Sequence, residues 1–411
     1  MSTRSFRGPF AWLSGLALLR HPTVQIVYAS SLMMIMGTDL LYPVMPALLN
    51  PLGVSAARVG MIISAFTAPG IFLSPIVGAL ADLYGRKKIF VLGLLFYGCA
   101  GLAMAAAPSF SVILFLRALQ GVAYIGVMPL VVVLLGDHFQ QSQETSAQGF
   151  KVFFDRFGSF LFPALGGMLA ALSWRLPFLL YGLAIPVSLA AWLWLPESQP
   201  RRGIPLKEYI RSIARLVRWG RSLSIFGIGG LRFFLDIGFF AYLPLFLVQR
   251  MGSSTGQAGA LFIFYSLGSM VMATQVGVLS TKFEKFGLAI AGFSLCALGL
   301  LLVPLSGSIW PIGGFLFIYG LGNGIISPCQ KSLITQSAPA ELRAGMVAAD
   351  RVVQSIGKSL APVFSSLILL TGNIQWIFAS LGLIAFAGAS GLAFLKRGGV
   401  LQPRSTVVKV S

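Results

Sequence analysis

Charged residues are scarce in this sequence, and acidic residues most of all. Only 10% of the 411 residues are charged and Asp and Glu together number 11, whereas 56% of the residues are hydrophobic. A soluble domain usually devotes about a quarter of its residues to charge, so a water-facing globule of this length is excluded. The composition instead indicates a helical chain in a bilayer, where each spanning helix takes ~20 mostly apolar residues.

Histidine and cysteine are also rare. The two histidines, His21 and His138, lie at or beyond the ends of apolar runs, and the three cysteines lie inside such runs without CxxC spacing. This pattern offers no disulfide framework and no metal site. It also lacks the nucleophile–base or metal constellation that an enzyme needs. We therefore predict no enzymatic activity and no cofactor, with a membrane enzyme or lipid-handling protein as the remote alternative.

Long apolar runs are what the sequence does have, and twelve of them are long enough to span a membrane. The predicted spans 1 to 12 cover approximately residues 22–49, 56–81, 89–107, 110–135, 147–171, 174–195, 222–249, 256–281, 288–305, 309–335, 345–370 and 373–395. The longest polar interruption separates two sets of six. The predicted organisation is a cytoplasmic N-terminal segment 1–21, a six-helix bundle 22–195, a basic cytoplasmic linker 196–221, a second bundle 222–395 and a tail 396–411.

The basic residues predict the orientation of the chain. With the N-terminus inside, twenty Lys and Arg residues fall in inner segments, and only Arg58, Arg175 and Arg250 fall in outer loops. This bias follows the positive-inside rule, so we expect a multi-pass protein of the cell inner (plasma) membrane with both termini cytoplasmic. The net charge of +19 is then a topology signal with a secondary attraction to anionic lipid, and it does not indicate nucleic-acid binding.

An internal repeat relates the two halves. Three residue pairs recur at an offset of 199 and occupy matching spans: Gly78 with Gly277, Pro129 with Pro328, and Pro163 with Pro362. Proline bends a helix, and small residues at i and i+4 let helices approach closely. Both halves therefore place a kinked helix with a small-residue face at the same point. Two parallel halves around a midplane site are a transporter arrangement.

Three motifs resemble those of the major facilitator superfamily, and within it the twelve-span drug:proton antiporter branch. They are Gly78-Ala-Leu-Ala-Asp82-Leu-Tyr-Gly85-Arg86-Lys87-Lys88 after span 2, Arg117-Ala-Leu-Gln120-Gly121 in span 4, and Gly158-x-x-x-Phe162-Pro163-x-x-Gly166-Gly167 in span 5. The span 5 motif has Phe162 where the family usually has Gly. The resemblance covers nearly the whole chain.

The resemblance implies an all-α membrane fold of twelve helices in two pseudo-symmetric six-helix bundles. It implies proton-coupled efflux of small, partly hydrophobic compounds, of the multidrug type, by alternating access in a monomer driven by the proton gradient. A metabolite or siderophore exporter, or an uncoupled facilitator, is the alternative. The implied gating residues are Gly78, Asp82, Gly85, Arg86, Asp137, Asp350 and Arg351, and the antiporter-type motif is Gly158, Pro163, Gly166 and Gly167.

Four acids lie within predicted spans, where a charge is costly and usually functional. Asp39 in span 1 is a candidate for protonation or cation binding, although a structural hydrogen bond is the alternative. Asp236 in span 7 follows Arg232 by four residues, a spacing that places both on one helix face. An ion pair and a coupling role are equally compatible with that spacing. Asp155 in span 5 and Asp350 in span 11 are candidates for a cytoplasmic latch, for substrate contact or for solvation at the membrane edge.

Two embedded cations complete the candidates. Arg117 is expected, through the family resemblance, to influence a first-half acid by pairing with Asp39 or Asp155, and the alternative is an arginine that satisfies backbone groups. Lys358 in span 11 is a mid-helix cation that could neutralise Asp236 or bind an anionic substrate group. Aromatic and amide side chains in the spans are candidate linings of a substrate cavity: Tyr42, Tyr124, Phe154, Phe240, Phe264, Tyr265 and Asn323.

Overall fold

A computed structural model describes residues 20–138, 141–196, 220–337 and 343–399. All regular elements in these ranges are α or 3₁₀ helices, and twelve are long and apolar enough to cross a membrane. Most of segment 1–21, nearly all of the linker 196–221 and most of the tail lie outside the described residues.

The first six spans have these helical bounds: Pro22–Asp39, Tyr42–Val44 and Met45–Leu52 in span 1; Ala56–Val59, Met61–Thr67 and Pro69–Tyr84 in span 2; Arg86–Ala103 and Met104–Ala106 in span 3; Phe110–His138 in span 4; Gln141–Leu172 in span 5; and Leu176–Leu179, Leu180–Leu183 and Ala184–Trp194 in span 6. Spans 1, 2, 3 and 6 are divided into shorter helices. Spans 4 and 5 are continuous although each contains a proline.

The second six spans have these bounds: Gly220–Met251 in span 7; Thr255–Ala260 and Phe262–Lys282 in span 8; Lys285–Leu302 and Val303–Leu305 in span 9; Ile309–Ser337 in span 10; Arg343–Leu369 in span 11; and Gln375–Arg397 in span 12. The predicted number and order of spans agree with the structure, and the bounds differ by a few residues at most ends. Helix ends are the least predictable part of a helix, because they depend on capping contacts.

The break in span 1 has a local cause. Pro43 has no N–H, so it cannot donate to the carbonyl of Asp39, four residues earlier. The helix therefore ends at Asp39, and Tyr42–Val44 continues as a 3₁₀ turn. Just before the break the Leu41 N–H bonds to the Thr38 carbonyl, three residues back. It would bond to Gly37 in a regular α-helix, so the Gly37 carbonyl is left for another donor.

The chain forms two compact units. The first holds the described residues of Met1–Ile204 together with Phe240–Phe262, and the second holds those of Pro205–Phe239 and Ile263–Ser411. Spans 1 to 6 thus lie in the first unit, which also contains the later half of span 7 and the beginning of span 8. The second unit contains the first half of span 7 and the rest of spans 8 to 12.

The units repeat one packing contact across the offset of 199 residues. In the first unit, a Cβ on Gly158 of span 5 would lie 3.0 Å from the side chain of Leu32 in span 1. In the second unit, a Cβ on Gly357 of span 11 would lie 2.2 Å from the carbonyl oxygen of Gly230 in span 7. Small residues thus let the equivalent helices approach closely in both units, as the repeat predicts.

Candidate functional site

The side chain of Arg117 joins three spans of the first unit. Its Nη2 donates to the Gly37 carbonyl of span 1 at 2.8 Å, and its Nε donates to the Ile62 carbonyl of span 2 at 3.2 Å. Its Nη1 donates to Gln120 at 2.6 Å, and the guanidinium lies 4.2 Å from the centre of the Phe66 ring. The side chain is completely buried. In this structure Arg117 therefore satisfies the carbonyl that the span 1 break releases, which was the alternative to pairing with Asp39 or Asp155.

Asp39 is the last residue of the first helix and lies near the middle of span 1. Its Oδ1 accepts a hydrogen bond of 3.0 Å from the hydroxyl of Thr38, and the side chain is partly buried. The C-terminal end of a helix carries a partial negative charge from its carbonyls. Asp39 thus places an acidic group where a second negative charge is unfavourable.

Asp155 links spans 1 and 5. Its Oδ2 forms a salt bridge of 2.6 Å with Lys151, one helical turn earlier, and its Oδ1 accepts a hydrogen bond from Ser31 of span 1. Lys151 is 7% exposed and Asp155 is 19% exposed. Neither Lys151 nor Ser31 was among the predicted site residues. The four-residue spacing of Lys151 and Asp155 could have indicated the ion pair.

Asp236 belongs to a buried cluster between spans 7 and 10 of the second unit. Its Oδ1 accepts hydrogen bonds from the hydroxyl of Tyr319 at 2.6 Å and from the amide of Asn323 at 2.5 Å. Arg232 Nη1 lies 3.8 Å from Oδ2 of Asp236 and donates to Oδ1 of Asn323 at 3.0 Å. The predicted Arg232–Asp236 pair exists but is longer than a hydrogen bond. Asn323, proposed as a cavity lining, is fully buried in this cluster.

Asp350 occupies a second buried cluster in the same unit. It accepts hydrogen bonds from Gln330 of span 10 at 2.7 Å and from Gln354, one turn later in span 11, at 2.5 Å. A Cβ on Gly229 of span 7 would lie 2.7 Å from Oδ1 of Asp350. Spans 7, 10 and 11 therefore meet around this carboxyl group. Neither glutamine was among the candidates, because their proximity depends on how the helices pack.

The antiporter-type motif is a site of close helix contact in the first unit. A Cβ on Gly166 would lie 2.1 Å from the carbonyl oxygen of Leu40. A Cβ on Gly167 would lie 2.3 Å from the carbonyl oxygen of Thr255. The Thr255 hydroxyl donates to the Gly167 carbonyl at 2.8 Å. A Cβ on Gly259 would likewise lie 2.3 Å from the carbonyl oxygen of Pro163. The motif thus brings span 5 into backbone contact with span 1 and with the short helix Thr255–Ala260.

The gating residues are described only in part. Gly78 and Asp82 lie in the helix Pro69–Tyr84 and Asp137 lies in Phe110–His138, but their side chains are outside the described part of the structure. Gly85 has a φ of 94° and separates spans 2 and 3. Residues with a Cβ rarely adopt that conformation. Arg86 begins span 3 directly after this turn, and Arg351 is partly buried beside Asp350 in span 11.

The aromatic candidates pack in small groups within their units. Tyr42 lies 5.7 Å from Phe240 and 6.1 Å from Phe262, ring centre to ring centre, in the first unit. The other ring pairs are Tyr124 with Phe66 at 5.0 Å, Phe154 with Tyr28 at 5.0 Å, and Tyr265 with Tyr319 at 6.0 Å. Phe264 packs near Gly313 of span 10. Tyr265 is therefore adjacent to the Asp236 cluster through Tyr319.

The chain belongs to the major facilitator superfamily. The model of that family matches residues 27–362, which is most of the chain. The family resemblance proposed from the motifs is thereby confirmed. Its members are membrane transporters, so the prediction of a transporter and not an enzyme is confirmed as well.

One of the relatives is an exporter and another is a drug resistance protein. The bacillibactin exporter of Bacillus subtilis is 29% identical over 363 residues, which cover 84% of this chain and 89% of that exporter. The quinolone resistance protein NorA of Staphylococcus aureus is 31% identical over 157 residues, which cover 38% of this chain and 40% of NorA. The second similarity is thus confined to part of each protein.

Solved transporter structures share the fold. A bacterial homologue of the human lysosomal transporter Spinster, inward-facing and occupied, superimposes with a TM-score of 0.74 at 15% identity, covering 91% of this chain and 96% of that one. A mutant of the nucleoside transporter NupG gives 0.75 at 12% identity, with 93% and 100% covered. The predicted fold of twelve helices in two six-helix bundles is confirmed by this likeness.

Proposed function

We propose that this transporter exports small, partly hydrophobic molecules in exchange for protons by alternating access, as a monomer. The observation that carries the proposal is the position of Asp39. An acidic group ends a helix near the middle of span 1, beside carbonyls that disfavour its charge. Binding a proton removes that penalty, and losing the proton restores it. The two protonation states therefore favour different surroundings of the same helix break, as a coupling residue requires.

Export is supported by the relatives, because one is the bacillibactin exporter and the other is a quinolone resistance protein, and export of a drug is one route to resistance. Asp155 and Asp236 are the other candidates for proton coupling. Each joins two spans through neutral donors and lies four residues from a basic residue on its own helix. Neutralising either carboxyl group would weaken the attraction to that cation and so change how the spans are held together.

The decisive experiment uses purified protein in liposomes with an imposed pH gradient and a fluorescent substrate such as ethidium. Asp39→Asn keeps the size and hydrogen-bonding capacity of the side chain but cannot release a proton. We expect this variant to lose acceleration by the gradient, while substrate exchange without a gradient continues. Gradient-driven transport equal to that of the unmodified protein would overturn the assignment of Asp39.

Glu284→Gln is the matched control, since Glu284 is an exposed acid paired with Lys396 at 2.7 Å outside the embedded clusters. It should retain gradient-driven transport. Asp155→Asn and Asp236→Asn, measured in the same assay, distinguish a single coupling residue from a shared role. If all three embedded variants retain full coupling, the protein is a facilitator driven by substrate gradients.

A second candidate is export of a siderophore or another metabolite. It is favoured by the similarity to the bacillibactin exporter, which extends over 84% of this chain. Transport of bacillibactin, with no transport of ethidium, would select this candidate over a multidrug-type exporter.

A further inference from the structure

Arg232 in the second unit has donor capacity that its neighbours do not use. The side chain is 8% exposed, and its Nε has no hydrogen-bond partner among the described residues. Its Nη1 bonds to Asn323, and the carboxylate of Asp236 is 3.8 Å away. A buried charged donor without an acceptor is costly. The guanidinium is therefore able to take an additional oxygen ligand.

A second cation lies at the same place. The ring of Phe233, which follows Arg232 in span 7, is 4.0 Å from the Arg232 guanidinium carbon and 4.1 Å from Lys358 Nζ of span 11. Because both distances are measured to one ring centre, the guanidinium carbon and the ammonium nitrogen are at most about 8 Å apart. Phe233 and Lys358 are both only partly buried. The ring and the ammonium group are therefore not sealed inside the packed core.

Neutral side chains donate hydrogen bonds to both nearby acids. Asp236 takes hydrogen bonds from Tyr319 and Asn323, and Asp350 takes them from Gln330 and Gln354. Their negative charge is thus partly satisfied without a close approach of Arg232. The Nε of Arg232 is therefore the donor in this group that an additional oxygen would satisfy.

We propose that Arg232 and Lys358, together with the ring of Phe233, form a subsite for the oxyanion of an apolar or aromatic substrate, such as a carboxylate or a phenolate. The Arg232 guanidinium offers directional donors and the Lys358 ammonium a mobile point charge. The Phe233 ring offers an apolar surface to the body of the substrate. This subsite rests on the proposed export function and adds apolar organic anions to the substrates that the exporter would accept.

The test is a binding measurement on purified protein in detergent, without a gradient. The probes are 1-naphthoate, salicylate and benzoate, each compared with its neutral amide, and binding is followed by calorimetry and by the shift in unfolding temperature. At least one acid should bind about tenfold more tightly than its amide, a difference of about 1.4 kcal/mol. Equal binding of every acid and its amide, or no binding by any acid, would overturn the proposal.

Variants separate this subsite from a structural role of the two cations. Lys358→Gln should lose about tenfold in affinity for the acid and nothing for the amide, whereas Lys358→Arg should bind the acid close to normally. Asp236→Asn should bind the acid more tightly, because it removes the nearest competing anion. A structural ion pair predicts no such gain. Lys331→Gln, an exposed lysine in span 10, is the control and should leave affinity unchanged.

The result is independent of proton coupling. If Asp39→Asn leaves transport unaltered but acids still bind as described, the subsite stands and the coupling assignment fails. If the protein exports ethidium by proton exchange yet does not distinguish acids from amides, export stands and the anion subsite fails. Unchanged acid binding in Lys358→Gln also overturns the subsite.

Discussion

The embedded acids of spans 5 and 11 occupy repeat positions that differ by one helical turn. In span 5 the pair is Lys151 followed by Asp155, and in span 11 it is Asp350 followed by Gln354, with each pair four residues apart and bonded. At the repeat offset of 199, Lys151 corresponds to Asp350 and Asp155 to Gln354. The spacing of the bonded pair is therefore the same in both units, but the acid is the second residue of the pair in span 5 and the first in span 11. The second unit consequently holds its acid nearer the beginning of the helix.

Buried polar contacts surround the embedded acids of the second unit. The sequence places two embedded acids in each half, Asp39 and Asp155 in the first and Asp236 and Asp350 in the second. The structure places Asp236 and Asp350 in buried clusters of the second unit, and both are less exposed than Asp155. Candidates for charge-dependent function therefore occur in both units.

Arg117→Met should destabilise the first unit. The change leaves the carbonyls of Gly37 and Ile62 buried without their donor. Each lost hydrogen bond from a charged group accounts for ~1.5–3 kcal/mol, so we expect a clear fall in the unfolding temperature of the detergent-solubilised protein. Arg175→Gln, at an exposed loop position, should have little effect. An unchanged unfolding temperature for Arg117→Met would show that the three spans do not depend on this side chain.

At the scale of helices, the small residues of span 5 determine how closely its neighbours approach. Gly166 lies against a backbone carbonyl of span 1, which cannot move aside as a flexible side chain could. In the second unit the equivalent position is Ser365, and a Cβ on Gly238 of span 7 would lie 3.5 Å from its hydroxyl oxygen, an ordinary contact distance. The contact at Gly166 is thus closer than the one at its equivalent position in the second unit.

Gly166→Ala should impair transport. The added methyl group would lie 2.1 Å from the Leu40 carbonyl oxygen, so spans 1 and 5 must separate. Asp39, adjacent to Leu40, would move with that backbone. We expect at least a tenfold loss of initial transport rate in liposomes and a lower unfolding temperature.

Gly314→Ala is the matched control, because a Cβ there meets no atom within 4 Å. It should transport at the normal rate. If Gly166→Ala also transports normally, the close contact of spans 1 and 5 is not needed for the transport cycle.

At the scale of the whole molecule, the orientation in the membrane is the prediction that follows most directly from charge. Alkaline phosphatase fused within the outer loop at Ser253 should be active in a bacterial host, and a fusion at Phe283 should be inactive. Green fluorescent protein fused to the tail should fluoresce, since it folds in the cytoplasm. The opposite pattern would reverse the predicted placement of both termini.

The number of spans and the family motifs were predictable, because each depends on residues that are close in sequence. A run of ~20 apolar residues is a span wherever it packs, and the loop motif that ends in Gly85 and Arg86 occupies consecutive positions. The backbone partners of Arg117 were not predictable. Gly37 and Ile62 belong to spans 1 and 2, and nothing local in the sequence pairs them with a side chain of span 4.

Local chemistry and long-range packing thus determine different features of this transporter. Hydrophobic length, the distribution of basic residues and the repeat of Gly and Pro already specify twelve spans in two related halves, since these signals act within single segments. Only the tertiary structure decides which donors each buried acid receives and which cations share the ring of Phe233. Those contacts join side chains from separate spans, and their distances depend on how closely the small residues allow the helices to pack.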